Sequence, residues 1–191
     1  MPSFFGRPCH SPIPRCAAVT LVALACSSVA FGGEIHEAVR GGDLEKVKAL
    51  LKDNSGLVDS KDDSRCATPL NLAASLGYKD VAELLLANKA KVNATNINGW
   101  TPLHYAARQG HKQVAELLLA NKAEVNAVSV IGYTPLHLAA YEGHKDVAEL
   151  LLANKAKVNA KDEQGVTPLR MATAEGHKDV AELLVQHGGH E

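Results

Sequence analysis

The chain has 191 residues, a formal net charge of −1 and 4% aromatic residues. That length suffices for one domain with a sizeable core, and the composition requires the core to be built from Leu, Val and Ala rather than from rings. Near-neutrality, with no block of like charge, gives no polyanion-binding surface and excludes nucleic acid as the expected partner.

The N-terminal thirty residues stand apart. Arg7 and Arg15 are their only charges, and the uncharged run over residues 16–33 is most apolar at CAAVTLVALAC. This segment resembles a secretory signal peptide, and Ser28 and Ala30 have the small side chains and spacing that place the cut after Ala30, with a cut near Gly32 as a second choice. The apolar run falls short of the ~20 residues that span a bilayer, so a membrane anchor is expected only if the signal stays uncleaved. A third reading is lipidation at Cys26, which ends LALAC, although Ala23 and Leu24 reverse the usual order of a lipobox. Cleavage after Ala30 removes Cys9, Cys16 and Cys26 and leaves Cys66 alone. Cys66 is then expected to be a plain loop cysteine without an internal disulfide.

Beyond the leader the chain is periodic. Thr-Pro-Leu begins at Thr68, Thr101, Thr134 and Thr167, each 33 residues after the last, and KDVAELLLANKAKVNA occurs at residues 79–94 and again at 145–160. A fixed period of this size marks a solenoid, in which no single unit can bury its own apolar face. Within a unit, Thr caps a short Ala-rich helix, Pro fits its first turn, and the Gly before His ends it. A second helix follows with Val81, Leu84 and Leu85 at helical spacing, widened by Ala82 and Leu86. A polar, Asn-rich connection such as ANKAKVNATNINGW returns the chain to the next Thr.

TPLHYAARQGHKQVAELLLANKAEVNA and TPLHLAAYEGHKDVAELLLANKAKVNA closely resemble the ankyrin repeat. The resemblance implies an all-α solenoid of about five helix-turn-helix units joined by β-hairpin-like loops. Its expected division is a signal peptide over 1–30, a degenerate first repeat over 31–67, repeats over 68–100, 101–133 and 134–166, and a C-terminal repeat over 167–191. The first unit, EIHEAVRGGDLEKVKALL, lies 35 rather than 33 residues before its match, with the extra length in the loop that precedes Thr68. His104 and His137 complete the Thr-Pro-Leu-His motif, whereas Asn71 and Arg170 replace the ring in the outer repeats. Asn71 can make the same bonds; Arg170 sets a positive charge at a helix N-terminus and should weaken the last repeat. Lys89, Lys122 and Lys155 stand where the family usually has a left-handed Gly, a cost of up to ~1 kcal/mol each unless the preceding Asn takes the strain. Cys66 stands where Gly99, Gly132 and Gly165 sit in the other hairpins, so the first hairpin should be irregular.

Nine histidines invite a metal or catalytic reading. His104 and His137 belong to the motif, and His111, His144 and His177 recur in the Gly-His turn, so packing explains them. His187 and His190 lie on a tail expected to fray, which makes a poor metal site. No zincin pair, Cys-x-x-Cys, phosphate loop or nucleophile elbow is present, so an enzyme is not expected, nor a cofactor, a metal or a small-molecule substrate. Asn93-Ala94-Thr95 is formally a glycosylation sequon, yet Asn126 and Asn159 recur at the same place without one, which favours a structural Asn.

What remains is what varies between near-identical repeats. In ankyrin proteins partners are held by hairpin tips and the exposed side of the first helices. The matching residues here are Ile97, Trp100, Arg108 and Gln109 across one hairpin and the helix after it, and Val128, Val130, Ile131, Tyr133, Tyr141 and Glu142 across the next hairpin and helix. The flanking hairpins are charged, with DSKDDS before and KDEQG after, and an apolar centre within a charged rim, with the aromatic Trp100 and Tyr133 as anchors, is the arrangement expected of a protein-binding surface. The sequence therefore describes an exported, monomeric, non-enzymatic protein that binds a protein partner on its concave hairpin-bearing face. A lipid-anchored envelope scaffold is the alternative.

Overall fold

The computed structural model describes residues 27–191 and the side chains from Gly33 onward. Ten helices follow in five pairs: α1 (Ser27–Arg40) with α2 (Leu44–Asp53), α3 (Pro69–Leu76) with α4 (Lys79–Ala87), α5 (Pro102–Gln109) with α6 (Lys112–Ala120), α7 (Pro135–Glu142) with α8 (Lys145–Ala153), and α9 (Pro168–Ala174) with α10 (Lys178–Gln186). First helices pack on first helices and second on second, forming two helical layers with the loops along one edge. No strand occurs among the described residues, and none of their helices is long and apolar enough to cross a membrane. The leader, its cleavage site and Cys26 lie outside the residues whose side chains are described.

One apolar core runs the length of the stack. Leu70, Leu103 and Leu136 are fully buried in the first layer, as are Leu85, Leu118 and Leu151 in the second. Ala73, Ala106 and Ala139, also fully buried, let neighbouring first helices approach closely, as a core poor in rings requires.

The Thr-Pro-Leu starts act as written. Thr68, Thr101 and Thr134 each form a reciprocal capping box with Asn71, His104 and His137. The third residue then reaches onward: His104 Nε2 bonds Tyr133 O at 3.0 Å, His137 Nε2 bonds Val166 O at 3.1 Å, and Asn71 Nδ2 donates to Ala94 O at 3.2 Å. Asn71 therefore does replace the ring. Arg170 does not: Thr167 still accepts from Arg170 N at 3.3 Å, but the side chain is exposed, and α9 ends in an ordinary right-handed residue, Glu175. Both buried rings are held neutral, since burial pushes His104 down to about 4 and lowers His137.

The opposite edge is stitched by the Gly-His turns. His111, His144 and His177 bond Ser75 O, Arg108 O and Tyr141 O at 3.2, 2.9 and 3.0 Å, each reaching back to the preceding repeat. A Cβ on Gly143 would lie 2.4 Å from His177 Nδ1, so glycine is required there for approach as well as for its left-handed φ of 77°.

Lys89, Lys122 and Lys155 take the left-handed conformation themselves, at φ 66–68°. The Asn before each stays right-handed and donates from its amide to a carbonyl four residues back, as Asn88 does to Leu84 O at 2.8 Å. The Asn of the sequon position latches repeats: Asn93, Asn126 and Asn159 accept from Glu124, Lys157 and His190 N at 2.9, 2.8 and 2.9 Å.

One expectation needs correction. The tail is not frayed: His187 Nδ1 bonds Leu183 O, Gly188 is left-handed, and Gly189 N donates to Leu184 O, the pattern made by Asn154, Lys155 and Ala156 one period earlier. The expectation of a lone Cys66 concerns the chain cut after Ala30; in the full chain Cys66 is buried and disulfide-bonded, and its partner lies outside the described residues.

Candidate protein-binding surface

Four hairpin-like loops line the edge opposite the Gly-His turns, and each is organised by one side-chain oxygen. Asn96 Oδ1 accepts from Asn98 N and Trp100 N, Ser129 Oγ from Tyr133 N, and Asp162 Oδ1 from Gln164 N and Val166 N. Asp62 does the same for Arg65 N and Ala67 N. Those N–H groups hold the Asp62 carboxyl below its usual range although burial pushes it up. The first hairpin closes between Asp62 N and Ala67 O, one residue wider than the others, with Cys66 at φ 54°. That is the expected irregularity.

The loops are bonded to one another in a ladder. Ile97 N donates to Arg65 O at 3.0 Å, Val130 N to Asn98 O at 2.9 Å and Glu163 N to Ile131 O at 3.3 Å. Backbone groups at the tips are thus consumed within the protein, and the side chains are what face outward. Val128 and Val130 are 61% and 63% exposed, Ile131 48%, Tyr141 45% and Ile97 41%. These are five of the seven large apolar side chains left exposed among the described residues, and they converge on the two central hairpins and the helix beside them.

Trp100 and Tyr133 sit lower. Each is half-buried and stacked on the motif His of the repeat that follows it, Trp100 on His104 at 6.3 Å and Tyr133 on His137 at 5.9 Å between ring centroids. Burial raises the Tyr133 phenol above its ordinary pKa. Trp100 also meets the edge of Tyr105 at 5.3 Å, and the Arg108 guanidinium lies 5.3 Å above its ring. Arg108 Nε donates to Glu142 Oε1 at 3.1 Å, so the two repeats share one charged bridge over an aromatic floor. Gln109 is exposed at the end of the same helix.

The structure therefore brings Ile97, Trp100, Arg108, Val130, Ile131, Tyr133, Tyr141 and Glu142 to one side, with Trp100 and Tyr133 as floor rather than as projecting anchors. Sequence reasoning passed over Tyr105, which donates no tip residue but completes the floor and accepts from Asn96 Nδ2 at 2.7 Å. It also passed over Asn96, Ser129 and Asp162, although three acceptor side chains at 33-residue spacing were a legible signal. No group of three or more His, Cys, Asp or Glu among the described residues is placed to hold a metal.

A family model for ankyrin repeats matches residues 35–129 and again 121–191. The chain belongs to the ankyrin repeat family. Its curated relatives include ankyrin repeat domain-containing protein 13C-A of Xenopus laevis, 42% identical over 67 residues that make up 35% of this chain and 12% of that protein. The mouse ankyrin repeat domain-containing protein 13C is 36% identical over 96 residues, 47% of this chain and 16% of its own length. Protein phosphatase 1 regulatory subunit 27 of Homo sapiens is 42% identical over 65 residues, 34% of this chain and 41% of that one. The chain thus spans less than half the length of each. Ankyrin repeats are in general non-enzymatic, and their presence indicates a protein-protein interaction module.

Proposed function

We propose that this ankyrin protein is an exported, non-enzymatic binder that holds a protein partner on its hairpin face, centred on Ile97, Val130, Ile131 and Tyr141 above the Trp100–Tyr133 floor. The observation that carries the reading is the gathering of exposed apolar side chains on two adjacent hairpins whose backbones are already locked into a ladder. A rigid apolar patch within a charged rim loses little conformational entropy on binding. The regulatory-subunit name of one relative, which describes a protein acting through another, agrees with this.

The test is capture of partners from the source cells by the wild-type protein and by the double variant V130D/I131D. Both side chains are exposed, so helicity and melting should be unchanged while capture is lost. Capture that survives overturns the reading.

Export is tested by the N-terminus of the protein recovered from its source. Processing after Ala30 gives Phe31 as the first residue and, because no cysteine but Cys66 follows position 30, a single thiol in place of the disulfide. An acylated Cys26 at the N-terminus would instead establish the lipid-anchored scaffold, and an intact Met1 with Cys66 still paired would overturn cleavage.

A further inference from the structure

The hairpin face changes character at its N-terminal end. Between the first hairpin and α3 and α5 lies a notch of about 210 Å³, lined among others by Arg40, Arg65, Ser64, Ser75 and Tyr105. That is below the roughly 300–1,000 Å³ of pockets that enclose whole small molecules, and it suits one side chain. Its acid, Asp62, is occupied by the backbone N–H groups of Arg65 and Ala67 and by the Ser64 hydroxyl, with Arg40 at 3.8 Å. Arg65 is exposed and forms no ion pair among the described residues. The notch thus offers the Arg65 guanidinium and the hydroxyls of Ser75 and Tyr105 to an incoming anion. It is also bonded directly into the apolar row, through Arg65 O to Ile97 N and Asn98 O to Val130 N.

We infer that the notch at Arg65 takes a carboxylate of the bound partner, which enters as an extended segment carrying one acidic residue followed, along the ladder, by apolar residues over Ile97 and over Val130 and Ile131. The spacing follows from geometry. Stacked helices repeat every 8–10 Å or so, and a polyproline II segment rises about 3.1 Å per residue with three residues per turn. Every third residue therefore faces the protein and advances by about one repeat. The segment recognised is an acidic residue, an apolar residue three positions away and a second apolar residue three further on, in either chain direction.

This inference rests on the hairpin-face reading above, and one experiment separates the two. Phage-displayed random dodecapeptides are selected on the full-length protein and on the variants R65E, R65K and V130D/I131D, each checked for unchanged melting. Peptides enriched on wild type and on R65K should carry Asp or Glu three positions from the first of two apolar residues. On R65E that position should turn to Lys or Arg while the apolar positions persist, and V130D/I131D should enrich none of them. Apolar peptides with no acidic preference, or an acidic preference untouched by R65E, overturn the carboxylate site and leave the hairpin face standing. Enrichment identical on wild type and V130D/I131D, or none on wild type, overturns both.

Discussion

The repeat over 134–166 and the last one are written in nearly the same letters, yet they are held differently. In the former, His137 caps Thr134 and bridges to Val166 O, Gly143 admits the ring of His177, and Gly132, in the hairpin that leads into it, lies against the next hairpin, where a Cβ would be 2.6 Å from Glu163 N. In the last repeat Arg170 makes no such bridge, and nothing lies within 4 Å of a Cβ on Gly176 or on Gly165 in the hairpin that leads into it. Stability in a solenoid is the sum of what each unit holds and what it shares with its neighbours. The comparison shows the shared part residing in a few residues that look like generic motif letters.

The largest effect should come from removing a ring that spans two repeats. His104→Ala leaves the buried amide of Thr101 without its partner and takes from Tyr133 O one of two donors, Ser129 N remaining; with the cavity left by the ring this amounts to about 2–4 kcal/mol. Chemical denaturation should show a lower midpoint or a split transition, whereas Arg170→Ala should change little. Gly132→Ala combines a φ of 86° with a backbone clash and should cost more than 2 kcal/mol or so. Gly165→Ala, strained in φ alone, should cost about 1 kcal/mol. Equal costs would break the comparison.

Acid should act on the same rings. The folded state depresses His104 from 6.5 to about 4, so the neutral ring's contribution is fully present above pH 6.5 and is lost as pH falls from there towards 4. By linkage that loss is on the order of 3 kcal/mol, with His137 adding in the same direction. In His104→Asn, which keeps the bonds as Asn71 does, the melting temperature should depend less steeply on pH across this window. Smallest of all, Lys122→Gly relieves a left-handed lysine at φ 66°. It should stabilise by about 0.5–1 kcal/mol, the strain removed less the extra freedom of an unfolded glycine.

The fold was legible because period and capping letters act locally: Thr101, Pro102 and Gly110 each do what their chemistry dictates without reference to distant contacts. Asn71 standing in for His was legible for the same reason. Less legible were features that depend on which neighbour arrives. Trp100 and Tyr133 read as projecting anchors, but stacking on His104 and His137 turns them into floor. The tail from His187 was expected to fray as chain ends do, yet its donors occupy the positions of Asn154 to Ala156. Nor does spacing reveal that Arg65, in a loop off the 33-residue register, is bonded into the same row as Ile97.

The central claim is that the hairpin edge, not the second-helix layer, meets the partner. Hydrogen exchange of the full-length protein, alone and saturated with a partner captured as above, measures this directly. Protection should rise over residues 95–105 and 128–142 and stay unchanged in α4, α6 and α8. Protection confined to those second helices would contradict the account.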